Sequence, residues 1–137
     1  MANTLAKKAV PASAARVWAL IGGFNNLPNW LPYIPQSKLS DGGRVRTLLN
    51  PDGSQIIERL ESFSEQNNSY SYSILEAPFP VTNYFSTLKV KSINSETSEV
   101  IWSGSFLPLD SATDSEVEAL FFQIYSDGLE ALKAHFS

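Results

Sequence analysis

From Ser37 to Phe106 apolar residues tend to fall on every second position, the repeat of a strand with one covered face. Turn sequences break the pattern at SDGG, NPDGS, SEQNNS, EAPFP and NSETS. The segments between them predict strands over Arg44–Asn50, Gln55–Phe63, Ser69–Glu76, Thr82–Ile93 and Glu99–Phe106. Links this short imply an antiparallel meander. A further strand is predicted over Thr4–Val10, ended by Pro11.

Two regions carry a helical repeat instead. In SAARVWALIGG, Val17, Leu20 and Ile21 share a face, Ser13 is a cap, and Gly22 or Gly23 is expected to close the helix in a left-handed conformation. After Pro108, Thr113 and Glu116 have capping-box spacing and predict a helix over Asp114–His135. Its apolar stripe is Val117, Leu120, Phe121, Ile124, Gly128 and Leu132, widened by Phe122, Tyr125 and Leu129. Between the first helix and the meander, Pro28, Pro32 and Pro35 permit only a short helix near Asn25–Trp30. The order is strand, one or two short helices, about six strands, long helix. A sheet with one apolar face needs a cover, and the final helix is the element long enough to supply it.

Parity along each strand assigns the covered face to Leu48, Ile56, Glu58, Leu60, Tyr72, Ile74, Tyr84, Ser86, Leu88, Trp102 and Gly104. Glu58, Tyr84 and Ser86 are out of place in that set. A buried carboxylate without a partner is costly. Either these groups line a semi-polar cavity, or Glu58 meets Arg46 or a tyrosine hydroxyl in a satisfied core. Gly104 and Gly128 either leave space or let neighbours approach closely.

The composition narrows the chemistry. A chain of 137 residues suits one domain, here residues 1–137. Ten Lys and Arg against fourteen acidic residues leave a net charge of −4, no basic footprint for nucleic acid. There is no cysteine, which removes thiolate nucleophiles and zinc-thiolate sites. The one histidine, His135, stands near the end of the chain, a poor place for a triad or an imidazole metal site. No metal or cofactor is expected. With neither a signal-peptide pattern nor a run long enough to span a bilayer, the reading is a cytoplasmic protein, monomer or homodimer, without membrane insertion.

VPASAARVWALIGGFNNLPNW resembles the opening of the SRPBCC superfamily, which includes START, polyketide cyclase and birch-pollen-allergen-like proteins. ERLE, followed by YSYSILEAPFPVTNYFSTLKV, is similar to plant abscisic-acid receptors and their bacterial polyketide cyclase/dehydrase-like relatives. The resemblance implies an α+β helix-grip fold. A seven-stranded curved antiparallel sheet would wrap a long C-terminal helix, with two short helices between strands 1 and 2 and Ser37–Ser40 as the second strand. It also implies an apolar ligand between sheet and helix, with Glu58, Tyr84 and Ser86 lining the pocket. The chain departs from the receptors in its loops, NPDGS and FPV, and in LPYIP, which has no basic residue. Trp102 stands where the receptors place a pocket glutamate. The resemblance therefore implies a ligand-holding scaffold without abscisic-acid sensing.

The expected function is binding of a small hydrophobic molecule (a lipid, polyketide or isoprenoid) by Leu48, Ile56, Glu58, Leu60, Tyr72, Ile74, Phe79, Tyr84, Ser86, Leu88, Trp102, Gly104, Leu120, Phe121, Ile124 and Gly128. The alternatives are a cyclase or dehydratase using Glu58 as acid–base with Tyr84 polarising a carbonyl, and a ligand-gated protein-interaction module with Phe79 at the mouth.

Overall fold

The computed structural model describes residues 1–137. Seven strands form one antiparallel sheet: β1 (Ala2–Val10), β2 (Gln36–Ser40), β3 (Val45–Leu49), β4 (Gln55–Ser64), β5 (Ser69–Glu76), β6 (Val81–Asn94) and β7 (Thr97–Pro108). Their spatial order is β1-β7-β6-β5-β4-β3-β2. Strands β2 to β7 are thus a continuous meander, and β1 closes on β7, with Ala6 opposite Trp102. Helix α1 (Ala14–Ile21) and a single 3-10 turn (Leu27–Asn29) separate β1 from β2. The long helix α2 (Asp114–His135) lies across the inner face, packed mainly on β1 and β7. The helix-grip order is therefore present, and no helix is long and apolar enough to cross a membrane.

Local chemistry sets the boundaries. The Thr113 hydroxyl accepts from Glu116 N and the Glu116 carboxylate from Thr113 N, a complete capping box that starts α2 at the expected residue. Ser13 caps α1 through Arg16 N. The far end of α1 differs from expectation: Gly22 has φ −72° and stays right-handed. The Trp18 ring packs over it, so the absence of a Cβ, rather than a left-handed backbone, is what the position requires. The prolines reduce the second short helix to its 3-10 turn.

The strand parities hold along β7, where Val100, Trp102 and Phe106 are buried, and along β6 from Tyr84 to Val90. They fail at irregularities. A register shift between Thr82 and Phe85, with Asn83 at φ 52°, interrupts the alternation at the start of β6, where Thr82 and Asn83 are both exposed. On α2, Phe122 lies outside the buried stripe and is 48% exposed, whereas Tyr125 and Leu129 are inside it.

The two interior glycines permit contact rather than leaving space. The Tyr125 hydroxyl occupies the position a Cβ would take at Gly104. At Gly128 an added Cβ would stand 2.8 Å from Trp102, 2.9 Å from Leu31 and 2.9 Å from Tyr33. Gly128→Ala is therefore expected to lower unfolding free energy by about 1–3 kcal/mol through overpacking, read from urea denaturation; an unchanged midpoint would contradict this packing.

Candidate functional site

The inner face does not close completely on α2. A cavity of about 510 Å³ remains between β3–β7, α2 and the proline-rich segment after α1. Its size is that of a small-molecule pocket. Most of its lining is apolar, from Leu27, Leu31 and Ile34 on one side to Leu48, Ile56, Ile74, Phe121 and Ile124 on the others. Exposed Pro51, Asp52 and Pro78 mark a mouth between the β3–β4 and β5–β6 loops. Phe79 is half-buried at that mouth, its ring edge-on to Phe121 at 5.2 Å. The Asp52 carboxylate accepts from both Ser54 N and Ser54 Oγ, which fixes the β3–β4 turn and holds its pKa below the usual value.

Deep in the cavity wall is an ion pair. Arg46 on β3 faces Glu58 on β4 in direct register, which places both side chains on the inner face. Arg46 Nε and Nη2 each lie 2.8 Å from Glu58 Oε1. Arg46 Nη1 donates to Phe24 O at 2.8 Å and to the Tyr70 hydroxyl at 3.2 Å. The rings of Phe24, Tyr72 and Tyr70 surround the guanidinium at 4.1, 4.9 and 5.6 Å. Burial opposes the arginine's charge, but Tyr70, Glu58 and Tyr72 outweigh it and shift its pKa upward. Burial pushes the Glu58 carboxyl up, and the charge and hydrogen bonds of Arg46 hold that rise in check. Arg46 thus supplies the partner that a buried carboxylate needs.

A second polar cluster joins sheet to helix. Trp102 Nε1 donates to the Tyr72 hydroxyl at 3.1 Å and to Ser86 Oγ at 3.2 Å. Ser86 donates to Ser103 O at 2.7 Å, and Tyr125 on α2 donates to Ser86 Oγ at 3.3 Å. The Tyr84 and Tyr125 hydroxyls are hydrogen-bonded, and Tyr72 stands 3.4 Å from Tyr84. The Tyr125 ring stacks on Trp102 at 4.7 Å. Burial is the main cause of the raised pKa values of Tyr33, Tyr72, Tyr84 and Tyr125, with Tyr125 pushed up to about 12.

Leu48, Ile56, Glu58, Tyr72, Ile74, Phe79, Tyr84, Trp102, Phe121 and Ile124 line the cavity. The remaining residues expected there are placed elsewhere, a correction with a physical reason for each. Leu60 precedes a register shift on β4 and borders a separate hollow beside Trp18. Leu88 is enclosed between cross-strand neighbours Tyr70 and Trp102. Ser86 lies in the hydroxyl cluster, and Gly104 is covered by Tyr125. Gly128 is covered by Trp102, Leu31 and Tyr33, and Leu120 packs half-buried against the core. Leu27, Leu31, Tyr33 and Ile34 belong to the lining although no periodicity marked them. Arg46 shares the inward parity of Leu48, the signal that could have placed it. His135 is exposed and is not among the residues lining the cavity.

The chain matches, over residues 1–137, the family described as polyketide cyclase/dehydrase and lipid transport, and it belongs to that family. Its structure is similar to XoxI from Bacillus cereus, with 57% identity, a TM-score of 0.96, and coverage of 99% of this chain and 96% of that one. A Bacillus thuringiensis protein is similar at 56% identity and TM-score 0.96, covering 98% of each chain. The Zhui aromatase/cyclase from Streptomyces sp. R1128 shares the fold at 15% identity and TM-score 0.80, covering 97% of this chain and 92% of that one. No curated protein matches the sequence.

Arg46→Met, which leaves Glu58 buried without its counter-ion, is expected to cost about 3–5 kcal/mol near neutral pH, whereas Arg46→Met/Glu58→Met is expected to be close to neutral. In the single variant the raised carboxyl pKa favours the fold below the unfolded value of about 4.3, and that support is lost as pH rises. The deficit in denaturant titrations should therefore grow from pH 4 to pH 8; a constant deficit would contradict a buried carboxylate. Alkaline titration supplies a separate check. Raised tyrosine pKa values support the fold below about pH 10, and this support is lost as pH rises beyond it. Absorbance of the folded protein near pH 10.5 should show Tyr33, Tyr72, Tyr84 and Tyr125 still phenolic.

Proposed function

We propose that the protein binds a small, largely apolar molecule in the cavity between the sheet and α2. The observation that carries this reading is the cavity itself: about 510 Å³, mostly apolar, with a single buried ion pair in its wall. A solid core would have filled that volume, because protein interiors pack to crystal-like density. Family membership supports the same class of role. Burying ~300 Å² of ligand surface at ~25 cal/mol per Å² gives roughly 7 kcal/mol before ordering costs, a micromolar-class site at best.

A cyclase or dehydratase reading draws support from the family description and from neighbours that are aromatase/cyclases. It would use Glu58 as acid–base and Tyr84 as carbonyl polariser. Both groups have other partners: Oε1 of Glu58 is held by Arg46, and the Tyr84 hydroxyl is hydrogen-bonded to Tyr125. Acid–base catalysis of that kind needs the carbonyl polariser as well as the carboxylate, and the Tyr84 hydroxyl is already committed to Tyr125. These contacts favour holding a ligand over transforming one.

Nile red, a neutral apolar dye, tests the reading. Its emission should rise and shift to the blue with the protein, with saturation at one dye per chain. Ile124→Trp, which fills the cavity, should reduce that binding at least tenfold without loss of folded structure by circular dichroism. Equal dye binding by the filled variant would overturn the proposed function.

A further inference from the structure

The direction of the hydrogen bonds around the cavity selects the kind of polar group its ligand carries. A hydroxyl has one proton to donate. Ser86 gives its proton to the carbonyl of Ser103, so it can only accept from Tyr125. Tyr125 has then spent its proton, and the bond between Tyr125 and Tyr84 requires Tyr84 to be the donor. Tyr84 in turn can only accept from Tyr72, across 3.4 Å. One backbone carbonyl thus orients the whole chain of hydroxyls, and each proton points along it. Tyr33, also in the lining, donates to Ile124 O at 2.9 Å.

The ion pair is asymmetric in the same sense. Arg46 directs protons from all three of its nitrogens to Glu58, Phe24 and Tyr70, and it is 0% exposed beneath aromatic rings. Glu58 keeps 6% exposure and lines the cavity. Both close contacts from Arg46 fall on Oε1, and Oε2 accepts no hydrogen bond from the protein. The hydroxyl protons lining the cavity are engaged, while one carboxylate oxygen has no protein donor.

We propose that the cavity selects apolar molecules bearing a neutral hydrogen-bond donor, an alcohol or phenol, which donates to Glu58 Oε2, and that it rejects carboxylates. A ligand carboxylate would meet a carboxylate whose counter-ion is already engaged, and no hydroxyl proton of the lining is free to receive it. A ligand cation would be placed beside the Arg46 guanidinium. A neutral O–H meets neither obstacle and satisfies the one open acceptor. Tyr84, whose proton is committed to Tyr125, has no donor role toward the ligand. This inference rests on the binding role proposed above and specifies its ligand class.

Three probes of one shape test it by displacement of Nile red at pH 7.5: 2-naphthol, 2-methylnaphthalene and 2-naphthoate. The expected result is 2-naphthol binding at least tenfold more tightly than either of the others, equivalent to about 1.4 kcal/mol. Arg46→Met/Glu58→Met, which replaces the pair by apolar side chains, should abolish the advantage over 2-methylnaphthalene, read as the ratio of the two affinities within that variant. Equal affinity for 2-naphthol and 2-methylnaphthalene in the unmodified protein, or tighter binding of 2-naphthoate, would overturn the inference and leave the binding role intact. A preference for 2-naphthol that persists in the double variant would overturn the assignment to Glu58. Failure of Nile red itself to bind would overturn the binding role, and the inference with it.

Discussion

The cavity depends on the pairing of Arg46 with Glu58. Adjacent strands place the two residues opposite one another, and the inner face then carries both a cation and an anion into an apolar interior. Neither charge is tolerable there alone, because the desolvation penalty for an isolated ion exceeds what packing returns. Together, with Phe24 O and the Tyr70 hydroxyl absorbing the remaining Arg46 bonds, they form a neutral, hydrogen-bonded unit. The guanidinium also ties the segment after α1 to the sheet. Loss of Arg46 alone would therefore strand Glu58 in the cavity wall and break the connection to Phe24 together.

The opposite side of the cavity is organised by aromatic packing. Trp102 stacks on Tyr125, Tyr84 stacks on Phe106, and Phe121 touches both Phe79 and Phe106. Gly104 and Gly128 let α2 and the sheet approach within this cluster. Tight packing here and an open volume a few residues away are consistent parts of one design. The hydroxyl chain fixes the helix position on the sheet, so the neighbouring space does not collapse.

Much of this was legible in the sequence. Alternation in β5, in β6 beyond its register shift and in β7 marked their inner faces, and the Thr113–Glu116 spacing marked the start of α2. Glu58 was conspicuous because a carboxylate interrupts an apolar parity. The cavity's other wall was not legible. Leu27, Leu31, Tyr33 and Ile34 lie among prolines, where no helical or strand repeat exists to assign a face. The register shifts on β4 after Leu60 and on β6 before Phe85 carry no sequence mark. The engagement of Tyr84 with Tyr125 spans 41 residues and depends on how helix and sheet meet, which local pattern does not encode.

The most direct test is where a bound ligand sits. Nuclear Overhauser contacts between 2-naphthol and methyl-labelled protein report that position. The account predicts contacts to the methyls of Ile56, Ile74 and Ile124, which line the cavity. Contacts confined to exposed Leu5, Leu75 and Ile93, with the cavity methyls silent, would contradict it.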